Sequence, residues 1–101
     1  MNVVAVKILR DFWGRFPDSE QPLKAWVDEV RRAAWVQSAD IKKGYGSASI
    51  LKNRRGVFNI KGNDYRLVAS VAYRFQAVYI KFIGTHQLYD RIDAETVELE
   101  V

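Results

Sequence analysis

The spacing of apolar side chains changes halfway along the chain, and the first half has helical spacing. Residues 8, 9, 12, 13 and 16 are apolar and predict an amphipathic helix that Pro17 ends. A second apolar stripe from Leu23 to Ala34 predicts another helix, with Asp18-Ser19 as its N-terminal cap and Pro22 in its first turn. The two helices would form a hairpin, preceded by an edge strand at Val3–Ala5.

The second half of the chain alternates with the period of two that is typical of strands. Residues 39–56 are rich in Gly, Ser and basic residues and predict a loop with at most one short helical turn. Alternation then predicts strands at residues 57–61, 65–73 and 77–83, separated by turns at residues 62–64 and 74–76. Gly84 would end the third strand, and Thr85 would cap a short helix that runs to Arg91. The acidic tail predicts a further strand or a frayed end, and the pattern indicates one domain, residues 1–101.

Composition excludes several classes of protein. The chain is 49% hydrophobic and 13% aromatic, which argues against disorder. It has no cysteine, which excludes disulfides, thiolate catalysis and cysteine-based zinc sites. No apolar run approaches the roughly 18 residues of a membrane span. The charged N-terminal stretch does not resemble a signal peptide, so we expect a cytoplasmic protein.

Charge is segregated along the chain. Residues 1–41 balance six basic against six acidic residues, whereas residues 42–91 hold ten basic and two acidic residues. Residues 92–101 hold four acidic residues and no basic one. Such a field attracts polyanions, although basic residues also serve simply to solvate exposed strand faces. We therefore expect nucleic acid as one candidate partner.

His86 and Tyr89 are candidates for chemistry near the predicted C-terminal helix. His86 is the only histidine, and an imidazole can act as a general acid or base near neutral pH. The alternative is an exposed or capping histidine without chemistry. Tyr89 follows one helical turn later and would either contact a base or anchor the helix to the sheet. One histidine and scattered carboxylates predict no metal site and no cofactor.

Arg66 lies in a predicted strand that is otherwise mostly apolar. A charge in that position needs a partner, because burying it unpaired is costly. The partner would be Asp64 or Asp90, or else a phosphate held by the forked donors of the guanidinium. If the strands pair in order, Lys61 and Lys81 would converge with Arg66 near one face of the sheet.

Residues 58–93 contain a series of short motifs, which are Phe58-Asn59, Gly62-Asn63, Tyr65-Arg66-Leu67, Tyr79-Ile80-Lys81, Thr85-His86 and Tyr89-Asp90. With these motifs the segment closely resembles the HigB-type toxins of the RelE-like toxin–antitoxin superfamily. The resemblance covers about a third of the chain. It implies an α+β fold: two N-terminal helices packed on a small, mainly antiparallel sheet of three to five strands, with a short C-terminal helix.

The same resemblance implies a metal-independent endoribonuclease that cleaves mRNA, usually on the ribosome. Its partner would be a HigA-like helix-turn-helix antitoxin, in a hetero-oligomer that silences it. Arg66 would stabilise the phosphate, and His86 would be the general acid or base, with Lys61 assisting and Tyr89 orienting the helix or the base. The expected RNA contacts are Lys42, Lys43, Lys52, Arg54, Arg55, Asn59, Asn63, Arg74 and Lys81. Members of the wider superfamily use lysines and arginines where this chain has Asn59 and His86, which leaves the acid and base assignment open.

The alternative function is a non-catalytic RNA- or ribosome-binding module that uses the same basic sheet. A third hypothesis is an interaction domain whose acidic tail and basic face take part in the assembly of a protein complex. Binding to RNA without cleavage would indicate the module, and neither binding nor cleavage would indicate the interaction domain.

Overall fold

The computed structural model describes residues 1–99 and places three α-helices before a run of strands. Short 3₁₀ turns, Pro17–Ser19 and Tyr73–Phe75, join the first two long helices and the last two strands. The elements, in chain order, are β1 Asn2–Val4, α1 Val6–Arg15, α2 Glu20–Arg32, α3 Ser38–Gly44, β2 Ser49–Leu51, β3 Arg55–Ile60, β4 Tyr65–Ala72, β5 Ala77–Thr85 and α4 His86–Tyr89.

The five strands form one sheet in the order β1-β5-β4-β3-β2. Only β1 runs parallel to its neighbour, and the other three pairings are antiparallel. Between β4 and β5 the register shifts at Val68/Ala69: Val68 pairs with Phe82 and Ala69 with Ile80. Lys81 is therefore the extra residue of a β-bulge, and its direction departs from the simple alternation of the strand.

One face of the sheet packs against α1 and α2 and carries the hydrophobic core. Tyr65, Leu67, Ala69 and Val71 of β4 are buried on this face, because they alternate along the strand. The ring of Tyr65 packs edge-on against Phe12 of α1, with 5.3 Å between ring centroids. We call the opposite side, which carries Arg66, the open face. The helices α1 and α2 do not cover it.

The α+β fold, with helices on a mainly antiparallel sheet and a short C-terminal helix, is confirmed. Several local expectations are wrong. Residues 39–56 hold a two-turn helix and a strand as well as loop, because the side chains of Gln37 and Asp40 form a capping box that starts α3. Strand β5 continues through Gly84 to Thr85 because residues 83–85 stay paired with β4. Ser19 precedes α2, but its hydroxyl donates to the Phe16 carbonyl and caps nothing.

The acidic tail is neither a strand nor a frayed end as far as residue 99. Residues 92–99 turn back over the sheet and are held there by Arg55, as described below. Glu100 lies outside the described residues. Within residues 1–99, no helix has both the length and the apolar character needed to cross a lipid bilayer.

Candidate active site

Arg66 lies on the open face, at the end of the sheet where β4 begins and β5 ends. It pairs directly with Asn59 of β3 on one side and with Gly84 of β5 on the other. Its guanidinium Nη2 donates to the side-chain oxygen of Asn63, 3.2 Å away in the β3–β4 turn. Its Nε is buried and has no hydrogen-bond partner among the described residues.

The expected ion pair of Arg66 with Asp64 or Asp90 is absent among residues 1–99, whose salt bridges do not include Arg66. Its charge is met by the ring of Tyr89, whose centroid is 5.2 Å from the guanidinium carbon. Arg66 is thus oriented by one neutral amide and one aromatic ring. A guanidinium held in this way keeps its positive charge available to an anion.

Gly84 has no side chain, and the ring of Phe82 occupies the space above it. A Cβ at this position would lie 2.5 Å from a carbon of the Phe82 ring, so that ring lies directly over Gly84. Phe82 in turn approaches Tyr89, with 6.4 Å between ring centroids. A side chain at residue 84 would displace Phe82 and disturb the aromatic support of Arg66.

His86 begins α4 beside the β3–β4 turn. Thr85 caps this helix, since its hydroxyl oxygen accepts from the backbone N–H of Leu88, as the sequence predicted. The backbone N–H of His86 donates to the carbonyl of Asp64 at 3.2 Å, which ties the helix to the turn. Its exposed imidazole Nε2 lies 3.8 Å from a carboxylate oxygen of Asp90. A cleft of about 410 Å³ opens here, and Asn63 and His86 both line it.

Lys61 forms a separate network with Asp18 on the helix side of the same turn. The Lys61 ammonium is 2.9 Å from one carboxylate oxygen of Asp18 and 3.2 Å from a carboxylate oxygen of Asp64. The Tyr65 hydroxyl donates to the other oxygen of Asp18. Hydrogen bonds from Tyr65 and then Lys61 lower the pKa of Asp18, and the bond to Asp18 raises the pKa of Lys61. Lys61 is therefore a cation with two carboxylate partners and is a poor proton acceptor near neutral pH.

The predicted convergence of Lys61, Arg66 and Lys81 on one face does not occur. Nearby carboxylates hold both lysines elsewhere: Lys61 by Asp18, and Lys81 by Glu98 of the tail at 2.7 Å. Lys81 shares Glu98 with Arg55 beneath the tail, whereas Lys61 lies on the helix side of the β3–β4 turn.

Arg55 is buried, with 6% of its surface exposed, and holds the tail in place. Its guanidinium donates to the carbonyls of Ala94 and Val97, at 3.2 and 2.6 Å, and to Glu98 at 2.6 Å. All these bonds are made beneath the tail, so the guanidinium of Arg55, which the sequence predicted to contact RNA, is engaged within the protein. Arg55 thereby packs the C-terminal segment onto the open face.

The other expected RNA contacts in the basic segment lie at exposed positions, and one of them also closes a loop. The Lys42 ammonium donates to the carbonyls of Gly46 and Ala48, at 2.7 and 2.6 Å, and closes the loop after α3. Lys43, Lys52 and Arg54 are exposed around that loop and the β2–β3 turn. Arg74 is exposed at the far end of the sheet from Arg66, beyond the last residue of β4.

The structure thus places Asn59, Asn63 and Tyr89 around Arg66, and it places His86 with Asn63 in the adjoining cleft, which Arg66 does not line. Sequence reasoning missed Asp18 as a partner of Lys61 and Tyr65, because Asp18 precedes a helix and was taken for its cap. The partners lie 43 and 47 residues further along the chain, a separation that no local pattern reports. Among residues 1–99, no three His, Asp or Glu side chains are grouped to hold a metal ion.

Comparison with known proteins adds an independent finding. Residues 19–92 match the family model HigB_toxin, described as the RelE-like toxic component of a toxin–antitoxin system. The chain is 28% identical over 92 residues to the mRNA interferase toxin HigB of Escherichia coli K12, covering 89% of this chain and 88% of that protein. The proteins named mRNA interferase HigB from Escherichia coli O157:H7 and Shigella flexneri match to the same extent.

Proposed function

The chain belongs to the HigB toxin family of RelE-like toxins, as its sequence predicted, and from that premise we propose that it is a metal-independent endoribonuclease that cleaves mRNA. The family places it in a toxin–antitoxin system and so implies an antitoxin partner. We further propose that it acts in the cytoplasm on ribosome-bound mRNA and that a HigA-like helix-turn-helix antitoxin neutralises it.

The observation that carries the proposal is the environment of Arg66. The guanidinium of Arg66 has no carboxylate partner among residues 1–99, and its forked donors suit a phosphate, whose oxygens accept two parallel hydrogen bonds. Negative charge grows on the non-bridging oxygens as the phosphorus becomes five-coordinate, so this contact strengthens in the transition state.

The reaction needs a nucleophile, a proton acceptor and a proton donor, and RNA supplies the nucleophile itself. The 2′-oxygen attacks the adjacent phosphorus and loses its proton to a base. The bond from phosphorus to the 5′-oxygen breaks, and that oxygen receives a proton from an acid. The products are a 2′,3′-cyclic phosphate and a 5′-hydroxyl, and no water or metal enters this step.

His86 is the residue suited to proton transfer, since it lines the cleft beside Asn63 and exposes its imidazole. The nearest charged partner of this imidazole is the Asp90 carboxylate, 3.8 Å from Nε2. Lys61 serves as a fixed positive charge near the cleft. Tyr89 orients Arg66 through its ring and lies where an unstacked base could pack.

The test is alanine substitution with stability measured in parallel. Arg66→Ala should lower the cleavage rate by about 10²–10³ and His86→Ala by about 10²–10⁴, with melting temperatures close to that of the unmodified protein. Arg10→Ala is the matched control, because Arg10 is an exposed arginine on α1. Each variant would be expressed without antitoxin and assayed for growth arrest, RNA cleavage and melting temperature. Full toxicity of both folded variants would contradict the site, and RNA binding without cleavage by the unmodified protein would indicate a binding module.

A further inference from the structure

A second exposed surface lies at the opposite end of the sheet from Arg66, around the 3₁₀ turn that joins β4 to β5. Phe75 in this turn is 75% exposed, and Val36 in the α2–α3 loop is 70% exposed. Gln76 brings the two segments together, since its side-chain amide donates to the Trp35 carbonyl at 2.8 Å and to the Tyr73 carbonyl at 2.9 Å. Two large apolar side chains are therefore exposed to solvent on neighbouring segments that the hydrogen bonds of Gln76 connect.

Two exposed arginines lie at the same end of the sheet as these apolar side chains. The guanidinium carbon of Arg74 is 5.9 Å from the centroid of the Phe75 ring. Arg54 lies at the same end, where its carbonyl accepts the Val71 N–H at 2.8 Å. Neither arginine forms an ion pair within residues 1–99. We call Val36, Arg54, Arg74 and Phe75 together the distal platform.

We propose that the distal platform binds a single-stranded stretch of RNA outside the cleavage site. An exposed ring offers a face on which any base can stack, and neighbouring guanidinium groups attract the backbone phosphates. Arg54 and Arg74 have no carboxylate partner within residues 1–99. Their positive charges therefore attract a polyanion more than they attract an apolar protein surface. The inference rests on the proposed function for its RNA substrate, but it concerns binding and not cleavage.

The separation of the two sites sets the length of RNA that can occupy both. From Arg66 to Ala72 the strand advances six residues, roughly 20 Å at about 3.3 Å per residue. At a stacked spacing of about 3.4 Å per nucleotide, this corresponds to about six nucleotides. A four-nucleotide RNA is too short to contact both sites, whereas a 20-nucleotide RNA can do so.

The experiment measures binding of fluorescent 4-mer and 20-mer RNAs that carry 2′-O-methyl groups, so that cleavage cannot occur. Phe75→Ala should raise the Kd of the 20-mer by roughly 5- to 150-fold, as expected for loss of one stacked base, and leave the 4-mer unchanged. Phe75→Trp should retain binding because it keeps the stacking face. Ile50→Ala, at another partly exposed apolar side chain on β2, is the matched control and should bind as the unmodified protein does.

The outcomes separate this inference from the proposed function. Equal affinity of Phe75→Ala and the unmodified protein for the 20-mer would overturn the platform, even if the enzyme cleaves RNA. Loss of self-association in Phe75→Ala with unchanged RNA binding would also overturn it and would indicate a second copy of the chain as the partner. Length-dependent loss of binding would support the platform even if no cleavage were found.

Discussion

At the scale of single residues, Arg66 is held by an amide and an aromatic ring in a strand that is otherwise mostly apolar. Its place in an apolar strand predicted that the charge needs a partner, and the candidates were an aspartate or a phosphate. The structure gives it an amide and an aromatic ring instead. That choice depends on the position of α4 over the open face, which follows from packing between Phe82 and Tyr89 and not from the local pattern.

Tyr89 provides a residue-scale prediction, because its ring and its hydroxyl can be tested separately. Tyr89→Phe should keep nearly full activity, since the ring that orients Arg66 remains. Tyr89→Ala should lower kcat/KM by roughly 2- to 30-fold, the range of a cation–π contact worth about 0.5–2 kcal/mol. Steady-state cleavage kinetics check this. An equal loss in both variants would show that the hydroxyl takes part in the chemistry.

At the scale of elements, the strands and the two long helices followed from apolar spacing, and the segments between them did not. The periods of 3.6 and two are imposed by burial on one face and are visible in the sequence. The capping box of α3 and the bulge at Lys81 depend on a few polar atoms and on pairing register. The links from the β3–β4 turn to the start of α2, through Asp18, depend on tertiary structure alone.

The Asp18 network predicts a pH dependence of stability. Hydrogen bonds from Tyr65 and Lys61 lower the pKa of Asp18 below its ordinary value of 3.8, so the folded state favours the carboxylate. This stabilisation is complete above pH 3.8 and is lost as the pH falls through the lowered pKa of the folded state. Asp18→Asn should therefore melt at a lower temperature than the unmodified protein at pH 7, and the difference should shrink in acid.

Thermal melts between pH 7 and pH 2 check this, with Asp11→Asn on the exposed side of α1 as control. The control should show no pH-dependent difference from the unmodified protein. A constant gap between Asp18→Asn and the unmodified protein at every pH would contradict the assignment.

At the scale of the whole molecule, the segregated charge predicted a basic surface, and the structure divides it. Arg55 is buried and bonded within the protein, Lys42 is exposed but donates to two loop carbonyls, and Lys43, Lys52 and Arg54 are exposed. A count of charges in the sequence cannot make this distinction, because it depends on which carbonyls and carboxylates fold next to each lysine or arginine.

The exposed basic residues should set the salt dependence of RNA binding. Replacing Lys43, Lys52 and Arg54 with alanine should reduce the slope of log K against log salt by about 2, since each single-strand phosphate contact contributes about 0.7. Replacing the exposed helix residues Lys7, Arg10 and Arg31 removes the same charge and should leave the slope unchanged. Titrations at four salt concentrations check this, and equal changes in both triple variants would attribute binding to net charge alone.

We propose that an Arg66-centred site cleaves RNA by attack of the RNA's own 2′-oxygen, and the chemical groups at the product ends distinguish this reaction from hydrolysis by water. RNA would be taken from cells that express the protein without antitoxin and joined to an adaptor by a ligase that requires 2′,3′-cyclic phosphate or 5′-hydroxyl ends. We expect new ends of both kinds at the cleavage sites in cells that express the unmodified protein. We expect these ends to be absent in cells that express Arg66→Ala. New ends bearing 5′-phosphate and 3′-hydroxyl groups would contradict it.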